Sequence, residues 1–278
     1  MDAKKTRVFV IHYSPLFERK NYLTKNMVKD FDLKFVTEKD VSLRKYKYSK
    51  SDRVFGISRK KIGMDQGINS RSLVFSRRKA RIQGYLYYFI SFIGPINRKY
   101  PNLTTGSLNE VKRLENNALE VQAMHFRALE LGISEDNEWI FIIEDDAVLN
   151  HNENYTHKFI NRIAKDFKAN KTWIDLNNGA GLKLTKTDRI SDKNNLFRVR
   201  PPTTRCAVAY MISKDLATEV LKLIDLHGVP EWLYIDNLYQ VATRKLRAKS
   251  FWQDPPLFSQ GSETGVYESG FDIQRSKS

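Results

Sequence analysis

A short apolar run that ends in three consecutive carboxylates constrains the fold of this chain more than any other feature. Residues 139–143 read Trp-Ile-Phe-Ile-Ile, and Glu144, Asp145 and Asp146 follow directly. Large apolar residues of β-branched and aromatic type predict a strand that is buried on both faces of a sheet. The carboxylates would then lie at the edge where the strand ends. Because open α/β sheets bind ligands at the carboxyl ends of their strands, this edge is the first candidate site.

Two interpretations of the carboxylates are open. A hard divalent cation that also holds a diphosphate prefers clustered oxygen ligands of this kind. Acidic residues after a strand also serve as helix N-caps and as solvated turn residues. Adjacent carboxylates repel one another unless a cation or hydrogen-bond donors compensate them, and this favours the first interpretation.

Strand-like and helix-like segments alternate along the chain. Predicted strands at 8–11, 33–37, 139–143, 173–176 and 207–212 alternate with predicted helices near 18–30, 108–131, 155–168 and 214–226. This alternation predicts an α/β fold with a mostly parallel central sheet that is flanked by helices. We expect a single domain over 1–278, with a long basic insertion at 44–104 within it.

The insertion carries most of the positive charge. Residues 44–99 contain 15 Lys or Arg and two Asp, in a chain whose net charge is +15. Such a surface attracts polyanions, including anionic lipid head groups, phosphorylated glycans and nucleic acid. The basic stretch 77–81 precedes an aromatic-rich apolar run at 85–96, and the two together predict either a membrane-surface contact or an ordinary core element.

Cysteine content and the apolar runs bear on the cellular compartment. Cys206 is the single cysteine, which excludes an intrachain disulfide and a cysteine-built zinc site. The longest apolar run falls short of the roughly 20 residues that span a bilayer, and the first is too short for a signal peptide. We therefore expect a cytoplasmic protein, with peripheral contact at the inner face of a membrane through 44–99 as an open option.

Six segments, taken in order, resemble glycosyltransferase family 25, the group that contains lipooligosaccharide galactosyltransferases. They are 8–13 with Glu18-Arg19-Lys20, a helix with Glu120 and His125, then 143–147, 207–213, Tyr234-Ile-Asp236 and 255–262. The resemblance spans most of the chain. Two features depart from the family pattern: His12 stands where asparagine is frequent, and the basic insertion is longer than the usual connection.

The resemblance implies a GT-A-like nucleotide-binding fold and a role in lipopolysaccharide or other glycan biosynthesis. A hexose such as galactose or glucose would move, with inversion, from a UDP-sugar to a hydroxyl of a surface glycan or lipid-linked saccharide. Family members use Mn²⁺ or Mg²⁺, and these cations prefer oxygen ligands such as the clustered carboxylates of this sequence. We assign Glu144 and Asp146 to that cation, and Asp145, whose side chain should point the opposite way, to the ribose or donor sugar.

Further residues are candidates for the nucleotide sugar. The turn after the first strand contains His12 and Tyr13 and leads into a helix with free backbone N–H groups, where Tyr13 could stack on uracil. Arg19 could meet the diphosphate or be a solvated helix residue. His125 lies on an apolar helical face, either as a core histidine or, by resemblance, at the donor site.

Two other candidates lie near the end of the chain. Gln260, Gly261 and Ser262 predict a loop near the donor, because glycine permits close backbone approach and the polar side chains can bind sugar hydroxyls; a plain turn is the alternative. Asp236 is our candidate for the base that takes the acceptor proton. It could instead cap a helix over 237–248, and Asp254 or Glu263 could compete for the role.

Two alternative functions remain. The basic stretch could track the phosphate backbone of a nucleic acid, with structural carboxylates, although no helix-turn-helix, zinc-finger or RNP-like motif supports nucleic acid as a partner. The chain could also be a catalytically silent relative that binds glycans, because a fold does not guarantee an activity.

Overall fold

The computed structural model describes residues 5–49, 53–55, 57–58, 105–168, 170–178, 184, 195–199, 204–231 and 233–267, with the backbone alone for 105–117. Most of the predicted insertion at 44–104 lies outside these ranges, including the basic stretch 77–81 and the aromatic run 85–96. Its contacts with a membrane or an acceptor therefore stay predictions. Within the described ranges, no helix combines the length and the apolar character that crossing a bilayer requires.

Helices and strands alternate along the described chain. The strands are β1 (Thr6–Ile11), β2 (Phe31–Val36), β3 (Tyr48–Ser49), β4 (Arg53–Val54), β5 (Ile57–Ser58), β6 (Trp139–Glu144), β7 (Ala147–Leu149), β8 (Thr172–Asp175), β9 (Leu196–Val199), β10 (Ala209–Ser213), β11 (Val229–Pro230), β12 (Lys249–Gln253) and β13 (Phe258–Gln260). The α-helices are α1 (Phe17–Met27), α2 (Thr105–Ser134), α3 (Glu153–Asp166), α4 (Lys214–His227), α5 (Ile235–Lys245) and α6 (Gly261–Thr264).

Seven strands form the central sheet in the order β2-β1-β6-β10-β8-β12-β9. β2, β1 and β6 are parallel to one another, and β8 is parallel to β12. β10 runs antiparallel to both of its neighbours, and β9 runs antiparallel to β12. The parallel strands therefore end at one edge, which brings the carboxylates after β6 close to the end of β1.

The predicted α/β class is confirmed, but the expectation of a mostly parallel sheet is wrong, because three strand pairings are antiparallel. β10 is buried along its whole length, as a central parallel strand would be, so its composition does not reveal its direction. The chain enters β10 at the edge where β6 ends, since the N–H of Glu144 donates to the carbonyl of Val208 at 2.8 Å. From that edge, β10 has to run back across the sheet.

Each face of the sheet has its own apolar cluster. Ile140 and Ile142 of β6 belong to the cluster with α2, α4 and α5, whereas Phe141 and Ile143 belong to the cluster with α1 and α3. Successive strand side chains point to opposite faces, which explains this division. Because helices cover both faces, the whole of 139–143 is buried and Glu144 is the one residue of β6 that is partly exposed.

Candidate active site

A cavity of about 250 Å³ opens at the edge of the sheet where β1 and β6 end. Its lining comes from β1 with the following turn, α1, α2, the end of β6, the start of α5, and the segment around β13 and α6. The lining residues are Ile11, Tyr13, Leu16, Arg19, Ala118, Glu120, Val121, Met124, Glu144, Asp145, Asp146, Tyr234, Ile235, Asp236, Gln260 and Ser262. Apolar walls and clustered carboxylates together favour a ligand that brings a cation or several hydroxyl donors.

Asp145 is held by donors from the first strand–helix unit. Its Oδ1 accepts a hydrogen bond from Nη1 of Arg19 at 2.9 Å, and its Oδ2 accepts one from the backbone N–H of Tyr13 at 3.1 Å. The same Oδ2 lies 2.9 Å from Nδ1 of the buried His12. The Asp145 and Arg19 side chains are 9% and 8% exposed, so this is a buried ion pair. The pair compensates the charge of Asp145 within the protein.

Glu144 contacts α2, on the opposite side of the sheet. Its Oε1 lies 3.1 Å from Nε2 of His125, whose Nδ1 lies 2.9 Å from the hydroxyl of Tyr210. The hydroxyls of Tyr210 and Tyr239 lie 3.0 Å apart and form a hydrogen bond. Burial lowers the pKa of His125 to about 3, so its imidazole is neutral at pH 7. His125 therefore orients Glu144 without compensating its charge.

The ionised form of the Glu144 carboxyl is electrostatically unfavourable. Burial, followed by the neighbouring Asp146 and Asp145, raises the pKa of Glu144 to about 8. Its side chain is 22% exposed, and it lines the cavity. A carboxyl whose charge is disfavoured by burial and by like charges is stabilised in its ionised form by a cation.

The two carboxylate oxygens of Asp146 differ in their hydrogen bonding. Its Oδ2 accepts a hydrogen bond from the hydroxyl of Ser262 at 2.8 Å. Its Oδ1 is buried and has no hydrogen-bond partner among the described residues. Burial raises the pKa of Asp146 even though the bond from Ser262 opposes the shift. A buried oxygen without a donor costs free energy, which a ligand at this point could recover.

Gly261 allows the backbone of α6 to lie against Asp146. Its N–H donates to the carbonyl of Asp146 at 2.7 Å. A β-carbon at position 261 would lie 2.4 Å from Cδ2 of Tyr267 and 2.9 Å from the backbone oxygen of Asp146. Close approach of the two segments therefore requires glycine here.

We expect Gly261→Ala to lower the free energy of unfolding by about 1–3 kcal/mol, because overpacking must displace one of the two segments. Ligand binding that depends on Asp146 should weaken at the same time. Chemical denaturation measures the first effect, with Glu263→Ala, an exposed position on the same short helix, as the control. Wild-type stability together with wild-type binding would contradict this prediction.

Asp236 lies in the first turn of α5 and does not cap it, since the N-cap residue is Tyr234. The alternative role of Asp236 as N-cap is therefore wrong. Its Oδ1 accepts a hydrogen bond from the backbone N–H of Ala207 at 2.6 Å. Burial, with a smaller contribution from Glu144, raises the pKa of Asp236 to about 6. Such a carboxyl is ionised at pH 7 and is basic enough to accept a proton.

Most of the predicted site residues meet at this one cavity. Those that line it are Tyr13, Arg19, Glu144, Asp145, Asp146, Asp236, Gln260 and Ser262. His12, His125 and Gly261 lie behind the lining, and each contacts one member of the acidic trio, which consists of Glu144, Asp145 and Asp146. Their positions favour orienting the carboxylates over touching a nucleotide sugar. Asp254 and Glu263, the competing candidates for the base, are not among the lining residues.

Several supporting residues were not predicted. Glu38 accepts a hydrogen bond from the backbone N–H of Ser14 at 3.0 Å and another from its hydroxyl, which holds the turn after β1. The ring of Tyr267 lies against Arg19, with 5.3 Å between the guanidinium carbon and the ring centroid. Tyr239 ends the chain of hydrogen bonds from Glu144. Only the amphipathic spacing of α5 could have indicated that Tyr239 points inward.

Glu144 and Asp146 are the residues that could hold a metal ion. The part of the chain that the structure describes contains no group of three or more His, Cys, Asp or Glu side chains placed to bind one. However, the unpartnered Oδ1 of Asp146 and the raised pKa of Glu144 both fit a nearby cation. Protein sites for Mg²⁺ often use one or two carboxylates and complete the shell with substrate phosphates and water. The residues present fit a cation that is shared with a bound diphosphate.

Comparison with protein-family models and with curated proteins gives no match for this chain. The resemblance to glycosyltransferase family 25 therefore rests on the six sequence segments alone. The cavity with its clustered carboxylates is a separate reason to expect ligand binding.

Proposed function

We propose that this protein is a metal-dependent glycosyltransferase with a GT-A-like fold of the family 25 type. It moves a hexose, such as galactose or glucose, from a UDP-sugar to a saccharide hydroxyl with inversion. The observation that carries the proposal is the division within the acidic trio. Arg19 forms an ion pair with Asp145, whereas Glu144 and Asp146 line the cavity and form no ion pair with a Lys or Arg among the described residues. Two hard oxygen ligands then remain at the edge where α/β sheets bind nucleotides.

Glu144 and Asp146 would hold Mn²⁺ or Mg²⁺. Bound there, the cation would stabilise the negative charge that the departing diphosphate acquires. His125 contacts the carboxyl of Glu144 and Ser262 donates a hydrogen bond to that of Asp146, and these contacts orient the two side chains. Carboxylates that are already oriented lose less side-chain entropy on binding a ligand.

We assign the proton transfer to Asp236. Its carboxylate takes the proton of the acceptor hydroxyl while that oxygen bonds to the anomeric carbon, and the bond from this carbon to the diphosphate breaks to release UDP. Tyr13 and Arg19 contribute a ring for uracil and a positive charge for the diphosphate, respectively. Gln260 and Ser262 can bind hydroxyls of the transferred sugar.

The basic insertion is our proposed contact with the carrier of the acceptor. Its charge would attract an anionic lipid-linked or phosphorylated saccharide and would bring the protein to the inner face of a membrane. This part of the proposal rests on the composition of 44–99, which lies mostly outside the described residues.

Thermal unfolding with UDP, with and without Mn²⁺, tests the proposal. A ligand at about 100 times its Kd adds roughly 2.7 kcal/mol to the native state, which raises the Tm of a domain of this size by about 5–10 °C. We expect this rise only when UDP and Mn²⁺ are both present, and we expect Asp146→Ala to abolish it.

The matched control is Asp136→Ala, which removes an exposed carboxylate from another surface and should keep the full shift. If UDP and Mn²⁺ leave the wild-type Tm unchanged, the transferase proposal fails. Steeply salt-dependent binding to unrelated oligonucleotides would then favour the polyanion-binding alternative.

A further inference from the structure

Tyr234 is an exposed aromatic residue at the cavity, two positions before Asp236. It is 53% exposed and belongs to the lining. It is also the N-cap residue of α5, and its side chain makes no capping hydrogen bond. Serine, threonine, aspartate or asparagine at an N-cap stabilises a helix. Tyrosine at this position provides no capping hydrogen bond and exposes its aromatic ring to water. Local choices that disfavour folding are expected at functional positions.

The backbone around Tyr234 is held rigidly although its ring is exposed. Leu233 and Ile235, its neighbours on either side, are 1% and 6% exposed and belong to the apolar cluster under α5. The side-chain amide of Gln122 donates a hydrogen bond to the carbonyl of Leu233, which ties this segment to α2. The ring therefore projects from an anchored backbone, as a preorganised binding surface requires.

We propose that Tyr234 is the stacking platform for the acceptor saccharide. This inference rests on the proposed transferase function and adds the place where the acceptor saccharide binds. A sugar ring lying on Tyr234 would occupy the cavity that Asp236 also lines, so one of its hydroxyls could reach the Asp236 carboxylate. Tyrosine suits this contact, since its ring offers an apolar face and its hydroxyl a polar end.

Among the described residues, the charges near Tyr234 favour the neutral sugar ring of an acceptor over a nucleotide. Asp236 is close along the chain, and Glu120 lies on the segment of α2 that Gln122 ties to Leu233. Burial, followed by the negative charge of Glu38, raises the pKa of Glu120. Carboxylates accept hydrogen bonds from sugar hydroxyls and repel phosphate. The diphosphate is better accommodated beside Arg19.

Saturation-transfer NMR with methyl β-D-galactopyranoside and methyl β-D-glucopyranoside tests the inference, in the presence of UDP and the diamagnetic cation Mg²⁺. We expect at least one glycoside to bind the wild type, with a Kd that rises roughly fivefold to tenfold in Tyr234→Ala. Tyr234→Phe should keep most of the affinity because it keeps the ring. Tyr155→Ala is the matched control, since Tyr155 is a 44% exposed tyrosine on α3, which covers the other face of the sheet.

Three results would overturn the inference. The first is that neither glycoside binds the wild type. The second is that a glycoside that binds the wild type binds Tyr234→Ala as tightly. The third is that Tyr234→Ala loses the stabilisation by UDP and Mn²⁺, which would assign the ring to the nucleotide. Failure of the transferase proposal gives a different pattern. The wild type would then show no stabilisation by UDP and Mn²⁺, while glycoside binding that depends on Tyr234 would still support a saccharide site.

Discussion

Replacing Arg19 with methionine should lower the free energy of unfolding by about 3–5 kcal/mol, the usual cost of leaving one member of a buried ion pair alone. Asp145 would keep its contacts with His12 and the Tyr13 N–H, but the donor to its Oδ1 would be lost. The uncompensated carboxylate would then lie beside Glu144 and raise the repulsion within the trio. Urea denaturation monitored by circular dichroism measures the change.

The double variant Arg19→Met/Asp145→Asn separates lost charge pairing from lost packing. The asparagine oxygen can still accept from Tyr13 while the negative charge is gone, so the double variant should recover at least half of the lost stability. Lys25→Met provides the control, because it removes an exposed cation from the same helix. A single Arg19→Met variant within 1 kcal/mol of the wild type would show that the pair contributes little.

Asp236→Asn should reduce kcat/KM for UDP release from UDP-galactose or UDP-glucose by about 10²–10⁴-fold, the usual contribution of a general base. Asparagine can still accept the hydrogen bond that Ala207 donates to Asp236, so the fold should persist, but asparagine cannot take a proton. Stabilisation by UDP and Mn²⁺ should remain, because the substitution leaves the proposed cation ligands in place.

The pH dependence of the wild type provides a second readout for Asp236. Only the ionised carboxylate can act as a base, and its pKa is about 6, so kcat/KM should fall as the pH decreases through this value. Asp236→Asn should lack this fall. Asp254→Asn and Glu263→Gln, which alter carboxylates outside the cavity lining, should keep wild-type rates and the same pH profile. A large loss of activity in either control would mean that the base is assigned to the wrong residue.

Local patterns were sufficient for the elements with strong periodicity. The predicted helices at 18–30, 108–131, 155–168 and 214–226 correspond to α1–α4, and no end differs by more than three residues. β12 was missed because it reads Lys-Ser-Phe-Trp-Gln, in which a strand pattern is hard to recognise. Its burial comes from pairing with β8 and β9, which no local window contains.

The same distinction holds for the candidate site. The sequence indicated Glu144, Asp145 and Asp146 because these three carboxylates directly follow one apolar run. The family resemblance indicated Asp236. The opposite directions of the Glu144 and Asp145 side chains were predicted from strand alternation, but their partners His125 and Arg19 could not be deduced, because these come from different helices. The ribose or sugar contact predicted for Asp145 stays a prediction, although both of its oxygens already accept hydrogen bonds.

The cavity draws its walls from residues as far apart in sequence as Ile11 and Ser262. No single hairpin or helix pair contains it, and it is complete only when β1 has paired with β6 and the segment around β13 has returned to Asp146. Long-range contacts of this kind form late and slowly in folding. A partly folded chain therefore lacks the binding site. A bound ligand stabilises the protein against cooperative unfolding of the whole sheet rather than against fraying of one segment.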